Sequence, residues 1–392
     1  MANVSSSNGL EKRPKLRFPG FDEPYKQCRI GDIYAERSQR GASDMELLSV
    51  TMNDGVMPRS EIEGKDNSSE DKSNYKVVLT GDMVYNSMRM WQGANGISPC
   101  DGIVSPAYTV LMPKIPISNG YFAALFKSPN LINEFRKNSQ GMTSDTWNLK
   151  YPQIETIKVS IPALPEQERI AGMLGTLEKR IIKQAQLVDS LKKYKRGLLT
   201  YAFEEMTVSA DADSTAYLFS EIAQRRKEKY SPDCGIKYPC VELEHIEQGT
   251  GRLLGSVSAT TQNSIKTVAK RGDVLFGKLR PYLRKFVFAE QDMVCSSEIW
   301  ALIPSQYIIP KYLFYLVQTE HFLRVANISS GTKMPRAEWA NIEKEPFDIP
   351  CIPMQEKIVS LLEEIDKRIS VFDDSLRMLV NFREGLMQQL FI

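Results

Sequence analysis

A long internal repeat constrains this chain more than any other feature of its sequence. Residues 161–204 align without a gap with residues 349–392, at an offset of 188 residues, and fourteen of the 44 aligned positions are identical. A repeat of this length predicts a chain built as two similar halves, each of which ends in the repeated segment.

Each copy of the repeat has the pattern of a long amphipathic helix. Pro165 and Pro353 stand where the first helical turn tolerates proline, and acidic residues follow at the positive end of the helix dipole. Apolar residues then recur every seven positions, which predicts a seam that packs against a partner helix. The predicted seam positions are Ile170, Leu174, Leu177, Ile181, Val188, Leu191 and Lys195 in the first copy, and Ile358, Leu362, Ile365, Ile369, Phe372, Leu376, Leu379 and Arg383 in the second.

We expect the two helices to pair with each other as an antiparallel coiled coil with a pseudo-two-fold axis. One seam position is polar in both copies, where Lys195 and Arg383 stand. A polar seam residue often determines helix register at a cost in stability. A cation near a helix end can also extend its charge into solvent, where the dipole favours it. The sequence leaves both interpretations open.

Two globular blocks precede the helices. They are predicted over residues 27–160 and 216–348, with a flexible N-terminal tail over 1–26 and a polar linker over 205–215. Both blocks contain, in the same order, a Gly-Asp turn that leads into a strand, a strand that ends in proline, a short amphipathic helix and a loop rich in Ser and Gly. Strands that alternate with a short helix predict a mixed α/β or α+β unit, and we expect α+β.

The composition argues against several classes of protein. No apolar stretch approaches the roughly 20 residues that span a bilayer, and the N-terminus lacks the apolar core of a signal peptide, so we expect a cytoplasmic protein without membrane contact. The formal net charge is only +2, so any basic surface must be local. Among six cysteines and two histidines, only Cys234, Cys240 and His245 cluster, at a spacing unlike that of known zinc sites, and we expect no metal.

Catalytic motifs are absent from the sequence. It contains no GxGxxG after a strand, no HExxH and no GxSxG. The segment Gly272–Lys278 matches the first seven positions of a phosphate-binding loop, but Leu279 follows where Ser or Thr should hold magnesium. The intervening residues favour a strand, so we predict an ordinary strand with basic flanks and no enzyme activity.

Basic and aromatic residues after these strands form the candidate binding sites. Arg and Lys suit guanine edges and phosphates, and Asn suits adenine, although any one of these side chains is more often part of a solvated surface. Similar clusters in equivalent places of both blocks favour the functional interpretation. The predicted DNA-binding residues are Tyr85, Asn86, Arg89, Trp91, Thr143 and Ser144 in the first block, and Lys278, Arg280, Tyr282, Arg284, Lys285, Thr332, Lys333 and Arg336 in the second.

The chain resembles the specificity subunit of type I restriction-modification systems over nearly its whole length. The resemblance rests on IPALPEQERIAGMLGTLEKRI and its second copy, on LRFPGFDEPYKQCRIGDIYAERS near the start, and on DVLFGKLRPYLRK with SSEIWALIP. The doubled Pro-x-Gln-Glu helix start is its most specific part. One departure is Met354, which stands where the first copy has Glu166 and could alter partner contacts at one end.

The resemblance implies a non-catalytic subunit with two target-recognition domains. Each domain would read one half of a bipartite site in double-stranded DNA, and the helices would set the unread gap. The partners would be two methyltransferase subunits, which carry S-adenosylmethionine, and restriction subunits that use ATP and magnesium. An alternative is a coiled-coil interaction scaffold that does not read DNA sequence.

Overall fold

The computed structural model describes residues 13–41, 44–52, 55–64, 66, 68–207, 213–328 and 334–392. The chain divides into two compact units. Unit 1 comprises Met1–Ala185 with Asp374–Ile392, and unit 2 comprises Gln186–Asp373. Each long helix is therefore shared, since it begins in the unit of its own globular block and ends in the other unit.

The described residues of unit 1 form ten strands and four short α-helices, followed by the start of the first long helix. The strands are β1 Lys26–Arg29, β2 Tyr34–Glu36, β3 Leu48–Val50, β4 Val56–Pro58, β5 Lys76–Val78, β6 Met83–Asn86, β7 Asn95–Ile97, β8 Gly102–Val104, β9 Tyr108–Pro113 and β10 Lys158–Ile161 among the described residues. The helices are α1 Ile30–Ile33, α2 Asn119–Leu125, α3 Pro129–Asn138, α4 Tyr151–Ile154 and the long α5 Leu164–Thr200, which continues as a π-helical turn over Tyr201–Glu205.

Unit 2 repeats this plan with a larger second sheet. Its strands are β11 Thr215–Leu218, β12 Ala223–Arg225, β13 Lys229–Tyr230, β14 Pro239–Val241, β15 Val257–Ser258, β16 Lys266–Ala269, β17 Val274–Gly277, β18 Phe286–Phe288, β19 Met293–Cys295, β20 Ile299–Pro304 and β21 Pro346–Ile349. Its helices are α6 Phe219–Ile222, α7 Pro310–Leu316, α8 Glu320–Ala326, α9 Trp339–Ile342 and the long α10 Ile352–Leu390, whose end belongs to unit 1.

The sheets of the two units correspond strand by strand. A four-stranded antiparallel sheet has the order β2-β9-β6-β7 in unit 1 and β12-β20-β17-β18 in unit 2. A closing pair joins the first and last strands of each block, β1 with β10 and β11 with β21. In unit 2 a five-stranded sheet has the order β13-β16-β19-β14-β15, with β14 and β19 parallel. Its counterparts in unit 1 are the pairs β3-β4 and β5-β8, which an isolated parallel bridge between Leu47 and Ile103 connects. The closing pairs place the start of each block beside the start of its long helix.

The Gly-Asp turns predicted from the sequence position a partly buried ion pair in each unit. Gly81 and Gly272 have φ values of +91° and +93°, a left-handed conformation that glycine adopts without a steric penalty. The carboxylate of Asp82 then accepts from Arg37 at 2.6 Å, and that of Asp273 accepts from Arg226 at 2.6 Å. The strand that follows Gly272 is buried, which agrees with the prediction of a strand instead of a phosphate-binding loop.

The glutamine of the repeated helix start joins each long helix to its block. Gln167 is buried, accepts from the N–H of Ser118 at 3.1 Å and donates to Pro162 at 3.0 Å. Gln355 is also buried, accepts from the N–H of Ile309 at 2.9 Å and donates to two backbone carbonyls. Buried polar groups are almost always hydrogen-bonded. The glutamine amide both donates and accepts in each unit, which gives a physical reason for its recurrence in both copies.

The far end of each helix completes the core of the unit in which it ends. In unit 1 the ring of Phe391 lies edge-on to Tyr121 at 5.4 Å between centroids. In unit 2 the ring of Phe203 lies 4.7 Å from Tyr312. Phe203 and Phe391 are equivalent residues of the repeat, so both units use the same aromatic contact.

The predicted flexible tail is wrong for the part of it that the structure describes. The side chain of Arg17 makes two hydrogen bonds, of 2.9 and 2.8 Å, with the buried carboxylate of Glu166, and Tyr25 is buried beside them. The N–H of Leu16 donates to Gln389 at 3.1 Å. Residues 1–12 lie outside the described part of the chain. Glu166 is thus the anchor of this segment, and Met354 at the equivalent position of unit 2 cannot form such an ion pair.

The described part of the chain contains no helix that is both long enough and apolar enough to cross a membrane. The predicted linker over 205–215 is described at its two ends only. Thr207 is buried, and Thr215 pairs with Ile349 as the first residue of β11.

Candidate nucleic-acid interface

In unit 2 the basic residues after β17 are held against the end of the loop that precedes α9. The N–H of Arg280 donates to Pro335 at 2.7 Å, and the N–H of Ala337 donates to Lys278 at 2.8 Å. Leu279 forms an isolated antiparallel bridge with Arg336. Two groups that the sequence predicts separately, the segment after β17 and the loop, therefore share one surface.

The backbone of this segment is strained at two positions. Arg280 and Arg284 have φ values of +51° and +50°, on either side of a 3₁₀ turn over Pro281–Leu283. Residues other than glycine seldom adopt left-handed φ, which costs about 1–3 kcal/mol and persists only when the surroundings enforce it. The hydrogen bond from Arg280 to the loop supplies part of that support.

The cationic side chains of this segment differ in whether they have hydrogen-bond or ion-pair partners. Within the described part of the chain, the side chains of Lys278 and Arg280 make no hydrogen bond or ion pair. Arg280 is exposed, and Tyr282 beside it is 52% exposed. Lys285, in contrast, donates to the backbone oxygen of Leu243 at 2.6 Å. Arg280 and Tyr282 are therefore the best placed of the predicted residues for contact with a ligand, whereas Lys285 has a structural partner.

Two further arginines of the surface form exposed ion pairs. Arg284 lies 2.8 Å from Glu320, and Arg336 lies 3.0 Å from Glu298. Hydrogen bonding with Glu298 raises the pKa of Arg336 above its already high ordinary value, so this arginine stays charged. Exposed ion pairs contribute little free energy, so a phosphate can replace either carboxylate at small cost.

Unit 1 builds its counterpart with the same backbone contact but with other side chains. The N–H of Leu149 donates to Ser87 at 2.8 Å, in the place where Ala337 donates to Lys278 in unit 2. Asn86 accepts from the N–H of Met88 at 3.0 Å, so its side chain shapes the turn. Arg89 is exposed in the same turn.

Tyr85 is a core residue, which corrects its predicted place on the binding surface. Its side chain has 0% exposure and belongs to the hydrophobic core of unit 1 with Met83 and Leu111. Burial raises the pKa of the phenol above its ordinary range, so it stays neutral. The prediction failed because β6 is buried on both faces: Met83 and Tyr85 belong to one core cluster and Val84, on the opposite face, to another.

An aromatic cluster lies next to this turn, and the sequence predicted only one of its members. Trp91 and Trp147 meet edge to face at 5.2 Å between ring centroids. The guanidinium of Arg136, from α3, lies 5.4 Å from the centre of the Trp147 ring. A comparison of the two blocks could not identify Trp147 and Arg136, because unit 2 has other residues at the equivalent positions.

The loop between α3 and α4 presents the remaining predicted residues of unit 1. Thr143 and Ser144 are both exposed, and the N–H of Thr146 donates to Thr143 at 2.9 Å to close a turn. In the corresponding loop of unit 2, Thr332 and Lys333 lie outside the described residues.

The predicted seam residues occupy the packed faces of both long helices. Of the set, the side chains that are buried are Ile170, Leu174, Ile181, Val188, Ile358, Leu362 and Ile365. Those that are half-buried are Leu177, Leu191, Lys195, Ile369, Phe372, Leu376, Leu379 and Arg383.

The two polar seam residues form equivalent ion pairs with the opposite helix. In unit 2, Lys195 lies 2.6 Å from Asp366, and in unit 1, Arg383 lies 3.0 Å from Glu178. The acids are themselves equivalent residues of the repeat, 188 positions apart. Within each unit the end of one helix thus lies beside the start of the other, so the helices run antiparallel. These contacts favour a role in helix register over free extension into solvent.

Within the described residues, no group of three or more His, Cys, Asp or Glu side chains could hold a metal ion. Cys240 is buried, and the Nδ1 atom of His245 accepts from the N–H of Glu242 at 3.0 Å. Desolvation raises the pKa of the Cys240 thiol to about 11, so it stays protonated.

Comparison with known proteins identifies one family and its fold. A family model described as the type I restriction modification DNA specificity domain matches residues 23–192 and 220–372. The chain is 24% identical over 273 residues to the EcoDI specificity subunit of Escherichia coli, a match that covers 60% of this chain and 60% of that protein. It is 22% identical over 336 residues to the MjaVIII specificity subunit of Methanocaldococcus jannaschii, with 76% and 77% of the two chains covered.

Two solved structures share the fold over almost the whole chain. A type I restriction-modification system S subunit from M. genitalium superposes with a TM-score of 0.60 at 13% identity, covering 97% of this chain and 99% of the other. A chain from a study of complex assembly in the type I R-M system gives a TM-score of 0.57 at 15% identity, covering 96% and 98%. The α+β fold class that the sequence predicts is thereby confirmed.

Proposed function

Since the chain belongs to the type I restriction modification DNA specificity domain family, we propose that it is the DNA-reading subunit of such a system. The globular block of each unit contacts one half of a bipartite target in double-stranded DNA. The long helices connect the two blocks and set the length of the unread gap between the half-sites.

One observation supports this proposal above the others. The same backbone hydrogen bond, Leu149 to Ser87 in unit 1 and Ala337 to Lys278 in unit 2, ties the strand end to the loop at equivalent places. Around that common contact the surface side chains differ: unit 1 has the half-buried Trp91 and Trp147 beside the exposed Arg89, and unit 2 has the exposed Arg280, Tyr282 and Arg336. A constant scaffold with variable exposed residues is what two domains need when they read different base sequences.

In this proposal the chain has no catalytic activity of its own. Two methyltransferase subunits dock on it and bind S-adenosylmethionine, and restriction subunits supply ATP- and magnesium-dependent activity. The complex works in the cytoplasm, where the host DNA lies.

An exchange of one block tests the modular assignment. The methylated motif is first read from the genome of the host, and residues 27–160 are then replaced by the corresponding block of a related subunit. Only one half of the methylated motif should change. The reciprocal exchange of residues 216–348 serves as the matched control and should change only the other half. A change in both halves, or in neither, would contradict the assignment.

A binding assay separates this function from that of an interaction scaffold. The assembled complex is mixed with a duplex that carries the motif and with an excess of unrelated competitor DNA. Retention of the motif duplex supports sequence-specific binding. Complete loss of retention to competitor would contradict the proposal and favour a coiled-coil scaffold.

A further inference from the structure

The loop between α3 and α4 of unit 1 places an apolar side chain fully in solvent. Met142 is 100% exposed, more than any other large apolar residue among those described. Single exposed apolar residues are common on protein surfaces, so exposure alone indicates little. The structure of the loop and its position are what give this methionine significance.

The loop is a closed structure, and its own hydrogen bonds determine its shape. Gln140 and Asn148 exchange two backbone hydrogen bonds, of 3.0 and 2.8 Å. The hydroxyl of Thr146 donates to the carbonyl of Thr143 at 2.9 Å. Gly141 has a φ of +147°, and a Cβ there would lie 2.6 Å from the backbone oxygen of Thr146. The chain on either side of Met142 is thus held in one conformation.

The stem of this loop is part of the candidate interface. Trp147, just before the end of the loop, contacts Trp91, and the next residue but one donates its N–H to Ser87. The corresponding loop of unit 2 also carries an exposed methionine, Met334, which is 49% exposed and directly precedes the proline that binds Arg280. Both equivalent loops therefore expose a methionine, which is a second observation beside the full exposure of Met142.

The surface of unit 1 combines cations with an exposed apolar side chain. Its strand-end turn, the end of α3 and the end of the loop present Arg89, Arg136, Lys137 and Lys150 together with Met142, and the corresponding surface of unit 2 presents Lys278, Arg280, Arg284 and Arg336. Proteins that bind the minor groove of DNA frequently insert Phe, Leu, Ile, Met or Pro between base steps and partly unstack them. Methionine is unbranched and adapts its shape to such a gap.

We propose that Met142 inserts between adjacent base pairs in the half-site that unit 1 reads, and unstacks that step. This inference rests on the proposed DNA-reading function and deepens it. Unit 1 then recognises its half-site in part by how readily a base step opens, which depends on the step's sequence.

The test uses the full chain and a duplex that carries the methylated motif, with 2-aminopurine placed in turn at purines of both half-sites. Methyltransferase subunits are left out because their own extrusion of a base would add to the fluorescence. Wild-type protein should raise the fluorescence at one step of one half-site. Met142→Ala should abolish that rise and weaken motif binding roughly tenfold, about the cost of one lost base contact, whereas Met142→Leu should keep most of both.

Met378→Ala is the matched control, because Met378 is 70% exposed on α10 in the same unit; it should behave as wild type. Unchanged fluorescence and affinity in Met142→Ala would overturn the proposal, as would the absence of any fluorescence rise in a wild-type protein that prefers the motif. A wild-type protein with no preference for the motif would instead contradict the DNA-reading function itself.

Discussion

Lys195 lies 2.6 Å from Asp366 across the helix seam of unit 2. The phenol of Tyr315 donates to the same carboxylate at 2.9 Å, and the ammonium lies 5.4 Å from the centre of that ring. Burial, followed by the neighbouring carboxylate, raises the pKa of Tyr315 above its ordinary range, so the phenol remains a donor. A cation on α5, an acid on α10 and a tyrosine of the globular block thus form one network.

Loss of the seam cation should destabilise unit 2. Lys195→Met leaves the half-buried Asp366 without its ion pair, and we expect a decrease in the free energy of unfolding of about 1–3 kcal/mol. Urea denaturation measures the change. Arg368→Met is the matched control, because its ion pair with Glu364 is exposed and should contribute less than about 0.5 kcal/mol. Equal effects of the two variants would show that the seam network does not stabilise the protein.

Removal of the aromatic ring that directly follows α10 should destabilise unit 1. Phe391 is 4% exposed and packs on Tyr121, so Phe391→Ala creates a cavity that costs about 3 kcal/mol. Hydrogen exchange should show faster exchange in residues 30–161 of unit 1. Phe382→Ala, on the same helix and 59% exposed, should leave exchange unchanged. Protection of unit 1 that survives Phe391→Ala would mean that its core does not depend on the helix end.

The buried glutamine of the second repeat should resist replacement by an apolar residue of similar size. Gln355→Leu leaves the N–H of Ile309 and two carbonyl oxygens without their side-chain partner. Buried polar groups without partners cost about 1–3 kcal/mol each, so we expect a loss of about 3 kcal/mol in thermal or urea unfolding. Gln388→Leu changes an exposed residue of the same helix and is the control. A neutral Gln355→Leu variant would exclude this anchoring role.

The free arginine of unit 2 should contribute electrostatically to DNA binding. If Arg280 contacts a phosphate, Arg280→Ala makes the negative slope of log K against log salt concentration shallower by about 0.9 and weakens binding to all sequences. If Arg280 contacts a base, the slope changes less and discrimination at one position relaxes. Lys367 is an exposed cation on α10, and Lys367→Ala should change neither the affinity, nor the salt slope, nor the discrimination. Unchanged affinity, slope and discrimination for Arg280→Ala would show that it is only a surface charge.

Periodicity and repetition made much of the architecture predictable from the sequence. The seven-residue repeat identified the seam side chains, because helix packing requires apolar residues at a regular spacing. The recurrence of Pro165 and Pro353 located both helix starts, because the first helical turn tolerates proline. The two Gly-Asp turns were equally visible, since few residues other than glycine adopt the backbone conformation that those turns need.

The candidate surface was less predictable, because the exposure and partners of a side chain depend on residues far away in sequence. Tyr85 is buried, and Lys285 donates a hydrogen bond to Leu243. The sequence predicted both as binding residues on the same grounds as the exposed Arg280. Trp147 enters the surface only because the loop folds back onto Trp91.

The sequence by itself determined the doubled plan, the two long helices and the position of their packed faces. Tertiary structure alone decided that each helix ends in the core of the other unit, where Phe203 meets Tyr312 and Phe391 meets Tyr121. The physical reason is that a repeating pattern shows which residues must be buried, whereas the partner that buries them is chosen by three-dimensional packing.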